Sequence, residues 1–329
     1  MFLWNQLTYY SIVVLFFALL SYLGLPIFFF LLMIGCGALW WYHIPSLPGH
    51  LAAPILGGTL PKEKENVKPM IIAHRGGALD APENTIEAFE LAKKNGADAV
   101  EFDVEITSDG CPVLMHDDTL DRTTDGTGFV RDHAYEQISK LNAAAKYKNR
   151  ELYPYVKVPS LDEAVRKCLE LKLKMFIDCK KSSAQTVVVL RQLFDKYPAL
   201  YKEAVVCSFF PNVIYRVRQA DPKIVTALIH RHQFITKVEM DAEDRWTPVW
   251  QRIASRVGDV ILEVAHYVFL WYLCGTSGFL MNRDSYSGIF HTFWLKRGLR
   301  VVVWTVNDAY EKEYLLKSRG CSVITDTLL

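Results

Sequence analysis

Ile71-Ile72-Ala73-His74-Arg75-Gly76-Gly77, Pro82-Glu83-Asn84-Thr85, Val100-Glu101-Phe102-Asp103-Val104 and Met115-His116-Asp117 follow one another within residues 71–130. The order predicts strand, turn, helix, strand and hairpin, each ending on a polar group. Between residues 100 and 106 apolar and acidic residues alternate. Period two places Val100, Phe102, Val104 and Ile106 on one face and Glu101, Asp103 and Glu105 on the other. In isolation this pattern describes an edge strand with a wet acidic face. Here the strand lies in a chain of repeated strand–helix units, whose parallel sheets are covered on both faces. Carboxylates so enclosed repel one another unless a cation sits between them, and an all-oxygen cluster suits Mg²⁺ or Ca²⁺.

His74 and His116 each end a short apolar run and are followed by charge. A lone histidine is ordinarily structural or exposed. Two at strand ends beside carboxylates fit a general acid and a general base, because histidine titrates near neutrality. Arg75 offers forked donors for a phosphate, and Gly76 and Gly77 let backbone approach a ligand. Asn84 is expected to cap a helix over residues 85–95, with Glu87 in the reciprocal position. The start of that helix is also a natural phosphate site. Ser108-Asp109-Gly110 is a tight turn, so residues 112–116 should fold back antiparallel and carry His116 to Glu101 and Asp103.

Strands are expected at 70–73, 100–104, 174–178, 205–208, 224–228, 279–281, 301–304 and 323–325, with helical patterns between most of them. Eight such units predict an α/β fold, a (β/α)8 TIM barrel with its active site at the C-terminal strand ends. His74, Asp178, Lys180, Ser208, Trp304 and Asp326 all fall near those ends.

The 329 residues allow one large barrel with an anchor, or two small domains. A net charge of +1 makes no broad electrostatic case for nucleic acid. Seven cysteines include no Cys-x-x-Cys pair, which argues against a zinc site and a disulfide framework. Residues 1–50 contain no Lys, Arg, Asp or Glu, and 7–42 are almost wholly apolar, broken at Gly24-Leu25-Pro26. A cleaved signal peptide lacks its basic n-region here and is too short for this run. Residues 1–44 therefore read as a retained transmembrane anchor, one kinked helix or a short hairpin, with Trp40, Trp41 and Tyr42 as its interfacial belt. Residues 45–69, with five prolines, read as an extended linker. Its Lys62, Lys64 and Lys68 favour a cytoplasmic catalytic domain by the positive-inside rule.

The motifs His-Arg-Gly, Pro-Glu-Asn-Thr, Glu-x-Asp and His-Asp, with Asp121-Arg122-Thr123-Thr124-Asp125-Gly126-Thr127-Gly128, resemble the glycerophosphodiester phosphodiesterases. The likeness runs from about Met70 to the C-terminus. The apolar N-terminus and Trp271-Tyr272-Leu273-Cys274-Gly275 resemble membrane-bound members that act on glycerophosphoinositol. The resemblance implies a phospholipase-C-like phosphodiesterase barrel over residues 70–329, lumenal or extracellular, against the lysine signal. It implies that Glu101, Asp103 and Asp178 hold a divalent cation, and that His74 and His116 are the catalytic pair. Arg75, Asn84 and Lys180 would bind phosphate, and Trp304 would wall the glycerol moiety. The third metal ligand is usually glutamate in the family; the shorter Asp178 favours Mg²⁺ over Ca²⁺.

The implied reaction is release of glycerol-3-phosphate and a head-group alcohol from a glycerophosphodiester, glycerophosphoinositol first. A lysophospholipase D acting on lysophospholipids or N-acyl lysophosphatidylethanolamine is the alternative enzyme, and an inactive membrane adaptor the alternative of another class. Residues 257–281 pass a hydropathy test for a second span, yet contain Asp259, Glu263 and His266. A buried barrel helix is one reading. The other is a segment beside the barrel mouth that dips Phe269, Trp271 and Leu273 into lipid.

Overall fold

The computed structural model of the protein describes residues 2–61, 67–180, 184–238 and 243–329; Lys62 and Lys64 lie outside them. Short aliphatic runs form nine strands: β1 Ile71–Ala73, β2 Ala99–Ile106, β3 Pro112–Leu114, β4 Lys174–Cys179, β5 Ala204–Ser208, β6 Thr226–His230, β7 Gly278–Asn282, β8 Arg300–Trp304 and β9 Ser322–Thr325. Eight are parallel in the order β1-β9-β8-β7-β6-β5-β4-β2, and β1 pairs with both β2 and β9, which closes the barrel. Closure leaves no open edge among the eight parallel strands. β3 is the antiparallel addition to β2 that Ser108-Asp109-Gly110 predicts, with Val104 opposite Leu114.

One strand is displaced from its expected place. β6 starts at Thr226 rather than Ile224 and runs to His230. Ile224 and Val225 are buried in the bend before it, and a buried apolar bend reads like a buried strand in sequence.

The two faces of each barrel strand divide the core. Ile72, Ala99, Phe176, Val205, Ala227, Leu280, Val302 and Ile324 form the inner cluster. Val100, Phe102, Met175 and Ile177, and on the other side Leu228, Phe279 and Val301, pack outward against helices. The helix Leu161–Leu171 shows the local logic: Ser160 accepts from the Glu163 amide while Glu163 reaches back to Ser160, a reciprocal cap.

The extended linker expected over 45–69 is not what its middle forms. Gly49–Leu56 is a helix whose Ile55 and Leu56 are fully buried in the inner cluster. Leu56 closes the end of the barrel where strands begin: its carbonyl accepts from Ser322 Oγ at 2.8 Å. A Cβ added at Gly278 would stand 3.0 Å from Leu56 Cδ1, so the missing side chain there makes room for the plug. Five prolines mark bends, but one, Pro54, sits within this helix. Leu56→Ala is therefore expected to cost about 2–5 kcal/mol, whereas Leu51→Ala, at an exposed position, should stay within about 0.5 kcal/mol. Urea denaturation followed by tryptophan fluorescence measures both, and equal midpoints would return residues 45–69 to the status of a linker.

Residues Met1–His43 form a separate unit from Ile44–Leu329. It consists of α-helices Phe2–Leu23 and Leu25–Tyr42, broken at Gly24, whose φ of 76° lies in the left-handed region. The rings of Phe16 and Phe28 meet across that break, 5.2 Å between centroids. Trp40, Trp41 and Tyr42 are exposed.

Among the described residues one helix is long and apolar enough to cross a membrane, Val249–Cys274. It joins β6 to β7, which pair directly, Leu228 with Phe279. A span here would carry the strand neighbours of β7 away from β6, which the closed sheet excludes. The segment also differs from the expected one. Trp271 and Leu270 pack against the outer core, and β7 is a fully buried strand. Leu273 lies at the base, where its carbonyl accepts from the Ile44 amide at 3.0 Å. The exposed apolar face lies earlier in the helix, on Val249, Trp250, Ile253, Val257, Ile261 and Val268, each more than half exposed.

Candidate active site

The inward face of β2 turns acidic towards its C-terminal end, and β4 supplies the third carboxylate. Parallel pairing sets Asp103 directly beside Asp178. Glu101, Asp103 and Asp178 are all buried, and one oxygen of each lies within 4.8 Å of the others. Asp178 Oδ1 is buried with no hydrogen-bond partner.

The three do not share their charge equally. Burial first, then Asp103, pushes the Asp178 carboxyl up to about 7. Burial, Asp103 and Asp178 drive Glu101 well above the carboxylate range. For Asp103 burial acts the same way, but Lys180, His116 and Arg75 outweigh it and hold the carboxyl far below its ordinary value. Lys180 Nζ is 3.0 Å from Asp103 Oδ1 and Arg75 Nε 3.6 Å from Oδ2. Three enclosed carboxylates, two driven towards protonation and one oxygen left orphaned, fit a divalent cation bound through oxygen.

Asn84 does not cap the helix. Thr85 does, accepting from the Ala88 amide, and the helix runs Ile86–Lys94. Asn84 sits at a left-handed φ of 58°, a conformation Asn tolerates better than most residues. There it donates to Asp103 Oδ2 at 2.9 Å and accepts from the Asp103 amide at 3.1 Å. It braces the central carboxylate. Gly76 is likewise not a point of ligand approach: a Cβ there would stand 2.7 Å from Ala88 Cβ, so its role is close packing on the helix. Arg75, also left-handed at φ 52°, donates its amide to Glu101 Oε2 at 2.9 Å.

Each histidine has its own carboxylate. His74 Nδ1 lies 2.6 Å from Asp326 Oδ1, and its Nε2 is 3.9 Å from Glu101 Oε2. Burial alone would raise Asp326, but the hydrogen bond and charge of His74 hold it below the usual carboxylate range. His116 Nδ1 lies 2.6 Å from Asp117 Oδ1. Burial lowers the His116 pKa, against the pull of Asp103 and Asp117. Lys180 also donates to the His116 carbonyl at 2.8 Å, tying the hairpin end to β4.

A second layer of charge escaped the sequence reading. Arg122 donates to both oxygens of Glu83, at 2.8 and 2.7 Å, and to Asp117 at 2.6 Å. Glu83 in turn accepts from Arg75 at 3.1 Å. Arg122 was visible within the Asp-Arg-Thr-Thr motif, and Asp117 by adjacency to His116. Asp326, 252 positions from His74, carried only its place at a strand end. Trp304 is half-buried, donates Nε1 to the Leu280 carbonyl at 3.2 Å and meets Phe209 edge to face at 5.5 Å. It roofs the apolar inner core beneath the mouth. Ser208 turns away, its hydroxyl bonded to the Cys179 carbonyl at 2.7 Å.

Comparison with known proteins agrees with this geometry. Residues 74–329 match the glycerophosphoryl diester phosphodiesterase family. The chain is 46% identical over 258 residues to glycerophosphodiester phosphodiesterase 1 of Homo sapiens, and 45% to that of Mus musculus, covering 78% of each chain in both cases. Among solved structures it resembles an Oleispira antarctica phosphodiesterase in complex with the product sn-glycerol-3-phosphate, with a TM-score of 0.61 at 22% identity. That likeness covers 79% of this chain and 93% of the other. A glycerophosphodiester phosphodiesterase from Agrobacterium tumefaciens shares the fold at a TM-score of 0.60 and 21% identity, over 79% of this chain and 97% of that one. With its closed parallel barrel and two histidine–carboxylate pairs around an acidic trio, the chain belongs to the glycerophosphoryl diester phosphodiesterase family and is a phosphodiesterase.

Proposed function

We propose that the protein hydrolyses glycerophosphodiesters with a divalent cation held by Glu101, Asp103 and Asp178, releasing glycerol-3-phosphate and the head-group alcohol. The observation that carries this reading is the buried trio itself, with His74 Nε2 3.9 Å from Glu101 and the charge of His116 acting on Asp103. When bound, the cation neutralises charge on the phosphoryl oxygens. His116, kept neutral by burial, accepts the proton of the attacking oxygen. His74, oriented by Asp326, gives a proton to the departing head-group oxygen. Arg75 and Lys180, already turned towards Asp103, extend the positive field to the phosphate. The short arm of Asp178 favours Mg²⁺ over the larger Ca²⁺. Glycerophosphoinositol is the favoured substrate, and Trp304 the wall against its glycerol.

Membrane association belongs to the same reading. Residues 1–44 serve as a membrane anchor, with Trp40, Trp41 and Tyr42 at the interface. The exposed apolar stripe of the β6–β7 helix rests in lipid as amphipathic helices do. That stripe favours a second activity, cleavage of lysophospholipids presented by a bilayer. A product assay with a panel of glycerophosphodiesters and lysolipids, with Mg²⁺ or Ca²⁺, tests the substrate reading; no release of glycerol-3-phosphate from any of them ends it. Replacing Trp250, Ile253 and Val257 together by Ser is expected to slow cleavage of vesicle-held lysolipid by on the order of 10²-fold, since three large apolar side chains at about 1 kcal/mol each sum to about 3 kcal/mol of interface burial. Cleavage of soluble glycerophosphoinositol should be spared. Equal losses on both substrates would remove the stripe from the membrane.

A further inference from the structure

A second cluster of ligating side chains lies outside the barrel, between β6 and the helix that follows it. β6 ends at His230, Arg231 and His232 follow in the turn after it, and the helix carries Glu263-Val264-Ala265-His266. Residues three apart on a helix share a face, which sets Glu263 and His266 on the same side. The pairing of these elements sets the two motifs against each other. One ligand atom each of His230, His232 and Glu263 lies within 4.8 Å of the others.

His230 points away from the barrel lumen, packed against the rings of His266 at 5.5 Å and Phe279 at 5.6 Å. It is 3% exposed, and neither ring nitrogen has a hydrogen-bond partner. His266 is 2% exposed. Its Nδ1 faces the Leu262 carbonyl at 2.8 Å. A carbonyl only accepts, so Nδ1 carries the proton and Nε2 keeps its lone pair. That Nε2 is buried and has no partner. A ring nitrogen locked by a carbonyl with the other left free is the arrangement seen in metal-ligating histidines.

His232 Nδ1 stands 3.2 Å from Glu263 Oε1. That is close to the edge of a zinc tetrahedron, roughly 3.4 Å for bonds of about 2.1 Å. Both side chains are partly exposed, at 22% and 34%, which gives an ion a way in and lets the pair close on His230. The pocket that His230, Glu263 and His266 line has room for about one water-sized sphere. Burial, then the neighbouring imidazoles, keeps His230 neutral, and burial does the same for His266. Of the neighbouring charges, Asp259, one turn before Glu263, is engaged with the Ile235 and Thr236 amides, and Arg231, which lines the same pocket, donates to the Lys237 and Val238 carbonyls.

We propose that His230, His232 and Glu263 form a Zn²⁺ site, its fourth position left to water in the pocket that His266 also lines, and that the ion fastens the β6–β7 helix to the barrel wall. The donor set separates the two sites: imidazole nitrogens with one carboxylate suit zinc among the first-row cations, whereas the oxygen-only trio in the barrel suits Mg²⁺ or Ca²⁺. The absence of paired cysteines, which argued against zinc, bears on thiolate sites alone. The ion would hold the polar inner side of the helix whose outer side carries the exposed apolar stripe.

The test uses the full-length protein in detergent, stripped with a chelator and reloaded with Zn²⁺ in excess Mg²⁺, so that Mg²⁺ occupies the oxygen-only trio. Elemental analysis after gel filtration should find one zinc per chain in the wild type and in Glu101→Gln. His232→Ala and Glu263→Gln, both at part-exposed positions, should weaken zinc retention by more than about 100-fold; His230→Phe, which keeps the ring stacking, should do the same. Co²⁺ in place of zinc should give the intense visible bands of a four-coordinate nitrogen–oxygen site in the wild type and in Glu101→Gln, and not in His232→Ala or Glu263→Gln. Zinc should raise the Tm of the wild type and not of His232→Ala. No retained zinc in the wild type would mean that these nitrogens are served by a buried water, and equal retention in His232→Ala and Glu263→Gln would place the metal elsewhere; either result overturns the site.

Discussion

Glu101→Gln is expected to lower kcat by at least on the order of 10³, because a cation supplies several kcal/mol of transition-state charge stabilisation and about 4 kcal/mol corresponds to that factor. The substitution keeps the volume of the side chain and its acceptor for the Arg75 amide, 2.9 Å away. It removes one charge from a site where Asp103 and Asp178 already oppose it. The metal-free variant should therefore unfold at a temperature equal to or above that of the metal-free wild type, which separates loss of catalysis from loss of fold. Mg²⁺ should stabilise the wild type and not the variant, since a ligand that binds only the folded state raises its stability. EDTA should silence the wild type and added divalent ions restore it. Undiminished turnover after exhaustive chelation would remove the cation from the mechanism and leave the trio as buried acids.

His74→Ala and His116→Ala are each expected to lower kcat by on the order of 10²–10⁴, the usual contribution of a positioned proton-transfer group. The pH profile should tell them apart. A base works only when neutral, and burial lowers the His116 pKa. Its limb of kcat/KM therefore falls on the acidic side, below the ordinary histidine value of about 6.5, and should flatten in His116→Ala. His74→Ala should lower kcat while leaving that acidic limb in place. Asp326→Asn leaves the His74 ring in place without the carboxylate that orients it, and should reproduce part of that loss with the KM little changed. Near-normal kcat in both histidine variants would make the two rings structural.

Much of this site is written locally. The alternation from Val100 to Ile106 requires a strand with an acidic face, and Ser108-Asp109-Gly110 requires a hairpin, so His116 returns to Asp103 whatever the rest of the chain does. The His-Arg-Gly, Pro-Glu-Asn-Thr and His-Asp runs, read as a set, carry the resemblance to the family, and each sits within a few residues of the backbone turn that positions it. Tertiary structure decided the remainder. Closure of β1 on β9 brings Asp326 to His74, a pairing that no local periodicity encodes. Asn84 looks like a helix cap, as Asn commonly is; only the proximity of β2 turns its amide onto Asp103. Residues 49–56 read as linker because prolines signal bends, yet the open base of a barrel offers Leu56 an apolar space that an isolated peptide lacks. The apolar pattern of 257–281 does not say which side faces the core; the packing of Trp271 at the base and the exposure of Trp250 and Val257 do. His230 and His266 each look like ordinary histidines in their own segments, and become a cluster only when β6 and its helix pack face to face. Short-range patterns specify elements and the faces they offer, whereas partners far apart in sequence are chosen by strand register and by which faces meet in the closed barrel.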